Sequence, residues 1–537
     1  MNSKIQKLTG SFYTEDKVAE SVVIWAIRDA CNCVLEPSFG DGIFLEKALN
    51  RFDELGNPNP DITAVEIQHE IVENALIQHK DKAVRAINAD FLSLCVSKQY
   101  DVVVGNPPYV GIKNLPQEQR MMARRIIEKH GARCPNNGSL WFPFVLHAIT
   151  AIKPNGRLAF VLPFEITYTR YAYGLWNILS QNFADLTVCR IYEDFFPDVD
   201  VETVLLYADG KCGETTHVNY NVYNTVDDFR SGKTIKKQQV SLADIVNTRK
   251  PFISTILTST QQQLHQRIRE QGVVKPIIES CKFKIGYVSA DKDYFHPNSD
   301  VITHYSIPKA NLYPAILNAK ELNGSTGIGI KVNEEDCKSK LYLPSTLAEG
   351  DVRYIRNGEA LGVHQRYKCR QRKPWYITPN VEVPDVILSV FGEMPKMVAN
   401  NGRYAVSNSL LCGRLRDGTA EQLICRWYNS LTLLSLELNV HSLGGGSFVI
   451  IPGEADRLEI ASDIPQGKVS DIFHQIDKAV REDGVEAAYD LGDKLVLQGV
   501  FGLSDYDIDV IRDAIETLRN WRNPVKRRAK TILITAA

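Results

Sequence analysis

Cys33-Val34-Leu35-Glu36-Pro37-Ser38-Phe39-Gly40-Asp41-Gly42-Ile43-Phe44 is the stretch from which the fold of this 537-residue chain can be read. A short apolar run ends at Glu36, a turn with two glycines follows, and a helical pattern takes over from Ile43 to Phe52. Working outward, a second apolar strand, Ile62 to Ile67, carries Glu66 near its end and feeds a helix from His69 to about Lys80. A third, Val84 to Asn88, stops short of Asp90, and a fourth, Tyr100 to Gly105, runs into Asn106-Pro107-Pro108-Tyr109. Beyond a longer insert come a helix from about Ser139 to Ile152, the turn Pro154-Asn155-Gly156 and a strand from Arg157 to Leu162. Later strands follow at about Leu186 to Tyr192 and Val201 to Tyr207. Short apolar strands alternating with amphipathic helices predict an α/β fold, a mostly parallel sheet with helices on both faces. In such sheets a ligand sits outside the carboxyl ends of the strands, where the connections reverse direction.

The polar residues at those strand ends describe a ligand. Glycines at the first loop let the backbone approach it closely, and the helix start offers free N–H groups. The loop is not GxGxxG, and acids stand on both sides of Gly40. Carboxylates suit a cationic ligand better than a pyrophosphate. Glu66, at the end of the next strand, can take both hydroxyls of a ribose, with Ile67 beside it. Asp90 offers an acceptor for an adenine amino group, and Phe91 a ring wall. Ribose, adenine and a positive tail together describe S-adenosyl-L-methionine. For the loop alone, an ordinary glycine-containing turn would serve; Glu66 and Asp90 in register weigh against that. The candidate cofactor residues are therefore Glu36, Pro37, Gly40, Glu66, Ile67, Asp90 and Phe91, joined by Asn106 and Pro107.

Asn106-Pro107-Pro108-Tyr109 is read as the reacting element. Two prolines hold the asparagine rigidly, because proline fixes φ and gives up its N–H. An amino group attached to an aromatic ring or an amide carbonyl is a poor nucleophile, since its lone pair is delocalised. The Asn106 side-chain oxygen and the Pro107 carbonyl can accept its two hydrogens and favour a pyramidal nitrogen, which stabilises the transition state rather than the ground state. Tyr109 would stack on the ring that carries the amine. A proline-rich turn after a strand is the plain alternative for this tetrapeptide by itself.

Composition bounds the rest. Hydrophobic residues are 44% and charged residues 23%, which excludes a disordered chain, a collagen-like fibre and a small disulfide scaffold. The length calls for roughly two to four domains. With 62 basic and 64 acidic residues the net charge is −2, so any nucleic-acid surface has to be a local basic patch. The 11 cysteines include no CxxC pair, which reads as reduced thiols with no metal site. Met1 to Gly10 is polar, and no run approaches the roughly 18 apolar residues of a membrane span, so a cytoplasmic protein without a membrane partner is expected.

The chain resembles the amino-methylating DNA methyltransferases, specifically the N6-adenine enzymes of gamma motif order, in which cofactor motifs precede Asn-Pro-Pro-Tyr and the target recognition domain is C-terminal. The resemblance covers Leu8 to about Gly210 well and the remainder more loosely. Thr9-Gly10-Ser11-Phe12-Tyr13-Thr14 matches the element that closes over the cofactor, and Leu35 to Phe44 the EPxxGxGxF loop. Glu66, Asp90-Phe91, Gly138-Ser139-Leu140-Trp141-Phe142, Gly156 to Pro163 and Phe195-Phe196-Pro197 follow in the expected order. Ser38 after Pro37 and the extra acid Asp41 depart from the pattern. The resemblance implies a Rossmann-like S-adenosylmethionine-dependent domain, with Tyr13 and Thr14 at the cofactor and Phe196 stacking on an extruded adenine opposite Tyr109. Flipping is physically required, since a paired adenine cannot present its amino group inside a duplex. Stacking at roughly 1–3 kcal/mol per base would largely offset the cost. The sequence lacks the Pro-Cys pair of cytosine-C5 methylation and the zinc pattern of base deaminases.

Three divisions are expected: a catalytic domain at 1–248, a mixed α+β DNA target recognition domain at 249–465, and a helical C-terminal segment at 466–537. Gly286 to Lys292 and Leu443 to Phe448 look like pieces of this family's recognition domains. Between them Arg366, Lys368, Arg370, Arg372 and Lys373 alternate with polar and aromatic residues, a pattern that on a strand lines cations along one side for phosphate contact. Gly445 and Gly446 would admit a close approach to DNA, or form only a flexible turn. Double-stranded DNA is the expected partner of a monomeric enzyme. The restriction-modification or phage-defence setting leaves room for a cognate restriction endonuclease or defence-system subunit. A fused nuclease is not expected, since the cofactor element lies near the start and no PD…ExK arrangement appears. The rival readings are a glutamine-directed protein methyltransferase, an RNA base methyltransferase and a non-catalytic DNA-recognition subunit.

Overall fold

The structure is a computed structural model. It describes residues 14–522 apart from 80–81, 83, 96–98, 137, 170, 194–201, 244, 246–255, 323–326, 330–338, 441 and 444–446. The chain divides into two compact units, one running to Ile256 and the other from Leu257 to Arg522.

The first unit is built on one nine-stranded sheet. Its strands are β1 (Val34–Glu36), β2 (Ile62–Glu66), β3 (Val84–Asn88), β4 (Tyr100–Gly105), β5 (Ile152–Pro163), β6 (Phe183–Ile191), β7 (Thr203–Lys211), β8 (His217–Tyr223) and β9 (Lys236–Ser241), in the order β3-β2-β1-β4-β5-β7-β6-β8-β9. Strands β1 to β5 pair in parallel, β7 lies antiparallel between β5 and β6, and β8 and β9 extend that edge. The polar stretch after Asp209 therefore continues the same sheet.

Burial explains why these strands read as unbroken apolar runs. Val102, Val104, Ala159 and Val161 point into one core with Val22 and Val23 of α1 (Asp16–Ala26) and Phe44, Ala48 and Phe52 of α2 (Ile43–Glu54). Their neighbours Val103, Leu158, Phe160 and Leu162 point the opposite way and are also buried. With both faces covered, only the strand ends can carry polar chemistry. The remaining helices are α3 (His69–Gln78), α4 (Gln117–Lys129), α5 (Trp141–Thr150), α6 (Ala172–Ser180) and α7 (Val226–Arg230).

One expected interruption is absorbed. Pro154-Asn155-Gly156 does not precede the strand but lies within β5, as a bulge between the pairs Tyr100↔Ile152 and Val102↔Arg157. Asn155 turns the backbone at φ 62°, a conformation asparagine tolerates. A side chain at Gly156 would lie 2.9 Å from the Asp101 carbonyl.

The second unit is mixed α+β. A four-stranded antiparallel sheet orders Cys281–Ile285, Leu410–Leu415, Val386–Ser389 and Met397–Ala399, and a smaller sheet joins Ser339–Tyr342, Leu312–Ile316 and Ala405–Val406. The helical stretch from 466 packs inside this unit rather than following it. Helix Asp505–Arg522 brings Arg519 and Arg522 to Glu437 on helix Ser430–Asn439, with Nε–Oε distances of 3.0 and 3.1 Å. Glu437 is 1% exposed, and Arg522 also reaches Glu393 at 3.1 Å and lies over the Phe448 ring. Among the described residues no helix is long and apolar enough to cross a membrane, and no group of three His, Cys, Asp or Glu is placed to hold a metal.

Glu437→Gln leaves two buried guanidiniums short of their shared counter-charge. Urea unfolding should show a loss of about 3–5 kcal/mol, and a loss below about 1 kcal/mol would mean that the network contributes little.

Candidate active site

The sheet changes its direction of growth between β1, which connects outward to β2, and β4, which connects outward to β5. The loops at the carboxyl ends of β1 to β4 converge on a cavity of about 270 Å³. Pro37, Gly40, Glu66, Ile67, Asp90, Phe91, Asn106 and Thr14 all line it. Gly40 and Gly42 have φ of 51° and 85°, and a side chain on either would meet nothing within 4 Å. These glycines are required by the backbone turn and not by crowding.

The Glu66 carboxylate staples two of the loops, accepting the N–H of Gly40 at 3.1 Å and of Gln68 at 3.0 Å. Beside it Ile67 is 50% exposed and presents an apolar edge to the cavity. Asp90 caps the short turn Phe91–Ser93 through the Leu92 N–H at 3.0 Å, and burial pushes its carboxyl above the ordinary range. Phe91 is held between Phe144 and His147, with ring centroids 5.3 and 4.7 Å away.

Glu36 is placed differently from its neighbours. It is 2% exposed, does not line the cavity, and neither carboxylate oxygen meets a hydrogen-bond donor among the described residues. Burial pushes its carboxyl well above the usual range, with Asp41 and then Glu66 adding to the shift.

At the tip of β4, Asn106 is gripped twice. Its Nδ2 donates to Thr14 Oγ1 at 3.2 Å, and its backbone carbonyl accepts from Ser38 Oγ at 3.2 Å. Pro108 lines the cavity, whereas Pro107 is buried. The Tyr109 hydroxyl donates to the Val161 carbonyl of β5 at 3.0 Å, and burial with the nearby Glu165 carboxylate pushes its phenol well above the ordinary range. Glu165 itself accepts from Trp141 Nε1 at 2.6 Å and Tyr171 Oη at 2.9 Å. Tyr13 and Phe196 lie outside the described residues.

Several lining residues were invisible to sequence reasoning. Asn114, Leu115, Pro116 and Gln119 come from the insert after Tyr109, which carries no apolar strand run to place it at a strand end. Ser38, the departure from the family loop, turns out to hold Asn106.

In the second unit the basic stretch is not a strand. Val363–Gln365 is a 3-10 turn and Tyr367–Arg370 a short helix, with Val363 and Cys369 turned inward, so the cations do not share one side. Arg366 pairs with Asp291 at 2.7 Å. Arg372 donates to the carbonyls of Val288 and Ser289 at 2.6 and 3.1 Å. Both tie down the turn Val288–Asp291, where Ala290 adopts φ 77°. Lys368, Arg370 and Lys373 remain exposed. Gly445 and Gly446 lie outside the described residues.

An open glycine cradle, an apolar edge and Glu36, a buried acid without a donor, fit a nucleoside with a cationic tail. Residues 16–195 match the family model for the Eco57I restriction-modification methylase, and residues 249–497 that for the C-terminal domain of type II methyltransferase M.Eco57I. The chain is 24% identical over 410 residues to type II methyltransferase M.AccI of Acinetobacter calcoaceticus, covering 72% of each. It is 25% identical over 154 residues to the tRNA1(Val) (adenine(37)-N6)-methyltransferase of Glaesserella parasuis serovar 5, covering 27% of this chain and 57% of that one. The type IIL restriction-modification enzyme MmeI, solved in complex with DNA, shares the fold with a TM-score of 0.56 at 12% identity, over 97% of this chain and 80% of that one. Two family models named for one methylase together match about four-fifths of the chain, and with the type II methyltransferase relatives they show a restriction-modification DNA methyltransferase that uses S-adenosyl-L-methionine.

Proposed function

We propose that the chain methylates the N6 amino group of an adenine flipped out of duplex DNA, in a restriction-modification or phage-defence system. The observation that carries this reading is the double grip on Asn106 at the edge of the cofactor cavity. With Nδ2 turned to Thr14, Oδ1 is the end of the carboxamide left to accept from an amine. The Pro107 carbonyl supplies the second acceptor, and the two together favour a pyramidal nitrogen. S-adenosyl-L-methionine supplies the methyl group, carried on a sulfonium sulfur. Glu66 takes the ribose hydroxyls, Asp90 the adenine amino group, and Glu36 answers the positive tail from below. The proton lost by the amine passes to water.

Tyr109, anchored through its hydroxyl, and Phe196 would sandwich the extruded base. The adenine-N6 activity named for the Glaesserella parasuis relative supports the same chemistry here. Lys368, Arg370 and Lys373 are the residues of the second-unit patch assigned to DNA phosphates, with Gly445 and Gly446 at a close approach. Arg366 and Arg372 act by holding the turn Val288–Asp291.

Three measurements test this reading. Label from methyl-tritiated cofactor should appear as N6-methyladenine in duplex DNA; label in RNA or protein alone would sink the assignment. Asn106→Ala should cut turnover by about 10²–10³-fold with cofactor affinity near normal. Thr14→Val should slow turnover by about tenfold and Thr14→Ser spare it, and equal rates for the two would discard the grip.

A further measurement concerns Glu36. Its folded carboxyl sits well above the ordinary range, so the ligand-free protein holds a proton there that the unfolded chain, near about 4.3, releases. The stability this brings is full below the unfolded value and is lost as pH climbs towards the folded one. Glu36→Gln should therefore gain on the natural protein in thermal unfolding as pH rises above the unfolded value. Parallel pH curves would refute the buried neutral carboxyl.

A further inference from the structure

The segment between Tyr109 and Trp141 supplies part of the cavity wall, yet most of it faces outward. Helix α4 turns Ala123, Ile126 and Ile127 into the protein. Its opposite side and flanks leave Lys113, Arg124, Arg125, Lys129 and Arg133 exposed. Residues 113–133 hold six basic side chains against two acidic ones, in a chain whose net charge is −2.

These cations are uncompensated and clustered on one segment. Several other cations of the first unit meet acids: Arg28 with Asp209 at 2.8 Å, Lys82 with Asp53 at 3.1 Å, Arg230 with Glu20 at 2.7 Å. On the insert, Arg124 reaches only the neutral Asn136 side chain at 2.7 Å, and Arg125 the Met122 sulfur at 3.9 Å. Among the described residues no ion pair joins any of the five to a carboxylate. The intrahelical acids Glu118 and Glu128 are within reach in sequence and still do not pair with them.

Position gives this charge a purpose. The insert starts two residues after Tyr109, and its first turns carry Asn114, Leu115, Pro116 and Gln119 into the cavity wall. A base that leaves the stack stays tethered to its own backbone, so the phosphates on either side of it must come to the rim of this cavity. Lys113 adjoins that wall, and the other cations lie further along the same segment; exposed cations without carboxylate partners are matched by phosphate charge, and binding them releases counterions. Arginine's planar fork suits phosphate oxygens particularly well.

We propose that the insert face carrying Arg124, Arg125 and Lys129, with Lys113 and Arg133 beside it, binds the sugar-phosphate backbone of the target duplex next to the reacting base. This rests on duplex DNA being the substrate. It assigns the first unit its own share of the DNA contact, independent of the exposed cations of the second.

The test is the salt dependence of binding by the full chain carrying Arg124→Gln, Arg125→Gln and Lys129→Gln together, with Lys113→Gln and Arg133→Gln as a second variant. All five side chains are exposed. Affinity for a duplex that the natural enzyme methylates is read by fluorescence anisotropy between about 50 and about 200 mM salt. The triple variant should bind on the order of tenfold or more weakly at the lowest salt, and its log K against log salt slope should be shallower by about 2–3. Cofactor affinity should stay within about twofold of the natural protein, since no substituted residue lines the cavity. Unchanged slopes in both variants, with unchanged melting, overturn the proposal. A slope lost on single-stranded RNA and kept on duplex DNA overturns it in favour of RNA. Failure of the substrate reading is seen separately, as label that never enters adenine in DNA.

Discussion

A sheet covered on both faces has nowhere to do polar chemistry except at its ends, and this one reverses its growth between β1 and β4. At that reversal the connections part to opposite sides and leave the two strand ends uncovered. The Glu66 carboxylate then determines what the opening becomes. By holding the backbone N–H groups of Gly40 and Gln68 it ties the loop after β1 to the end of β2. The Ser38 hydroxyl in that same loop reaches across to the Asn106 carbonyl at the end of β4. The loops after β1 and β4 are thereby parts of one hydrogen-bonded unit.

Electrostatics in the first unit follow from burial more than from net charge. Glu36 and Asp90 are pushed up chiefly by desolvation, which favours their neutral forms until a positive ligand arrives. The insert face is the converse, with cations whose missing partners are acids. A whole-chain charge of −2 averages the two and reports neither.

The first unit was legible because its strands are buried on both sides and its glycines sit where the backbone turns left-handed. Even there, the turn expected at Pro154-Asn155-Gly156 is a bulge inside β5, since turn residues mark a bend without saying whether the strand resumes its pairing. The second unit resisted reading for a different reason. Arg366 and Arg372 look like surface cations in a row, yet one is paired with Asp291 and the other holds two backbone carbonyls. Alternation on paper becomes two helical turns once Val363 and Cys369 are drawn into the core.

From the amino-acid order alone came the α/β class, the strand-end loops, the acids at Glu66 and Asp90, and Asn106 at the tip of the fourth strand. These are local features, set by periodicity and by residues whose backbone or charge admits few uses. Tertiary structure alone decided which groups meet. It placed Thr14 on Asn106 across 92 positions of chain, buried Glu36 outside the cavity wall, and drew Arg519 and Arg522 onto Glu437. Contacts between residues so far apart in the chain depend on how whole elements pack, and packing is a property of the folded solid that no short stretch of sequence contains.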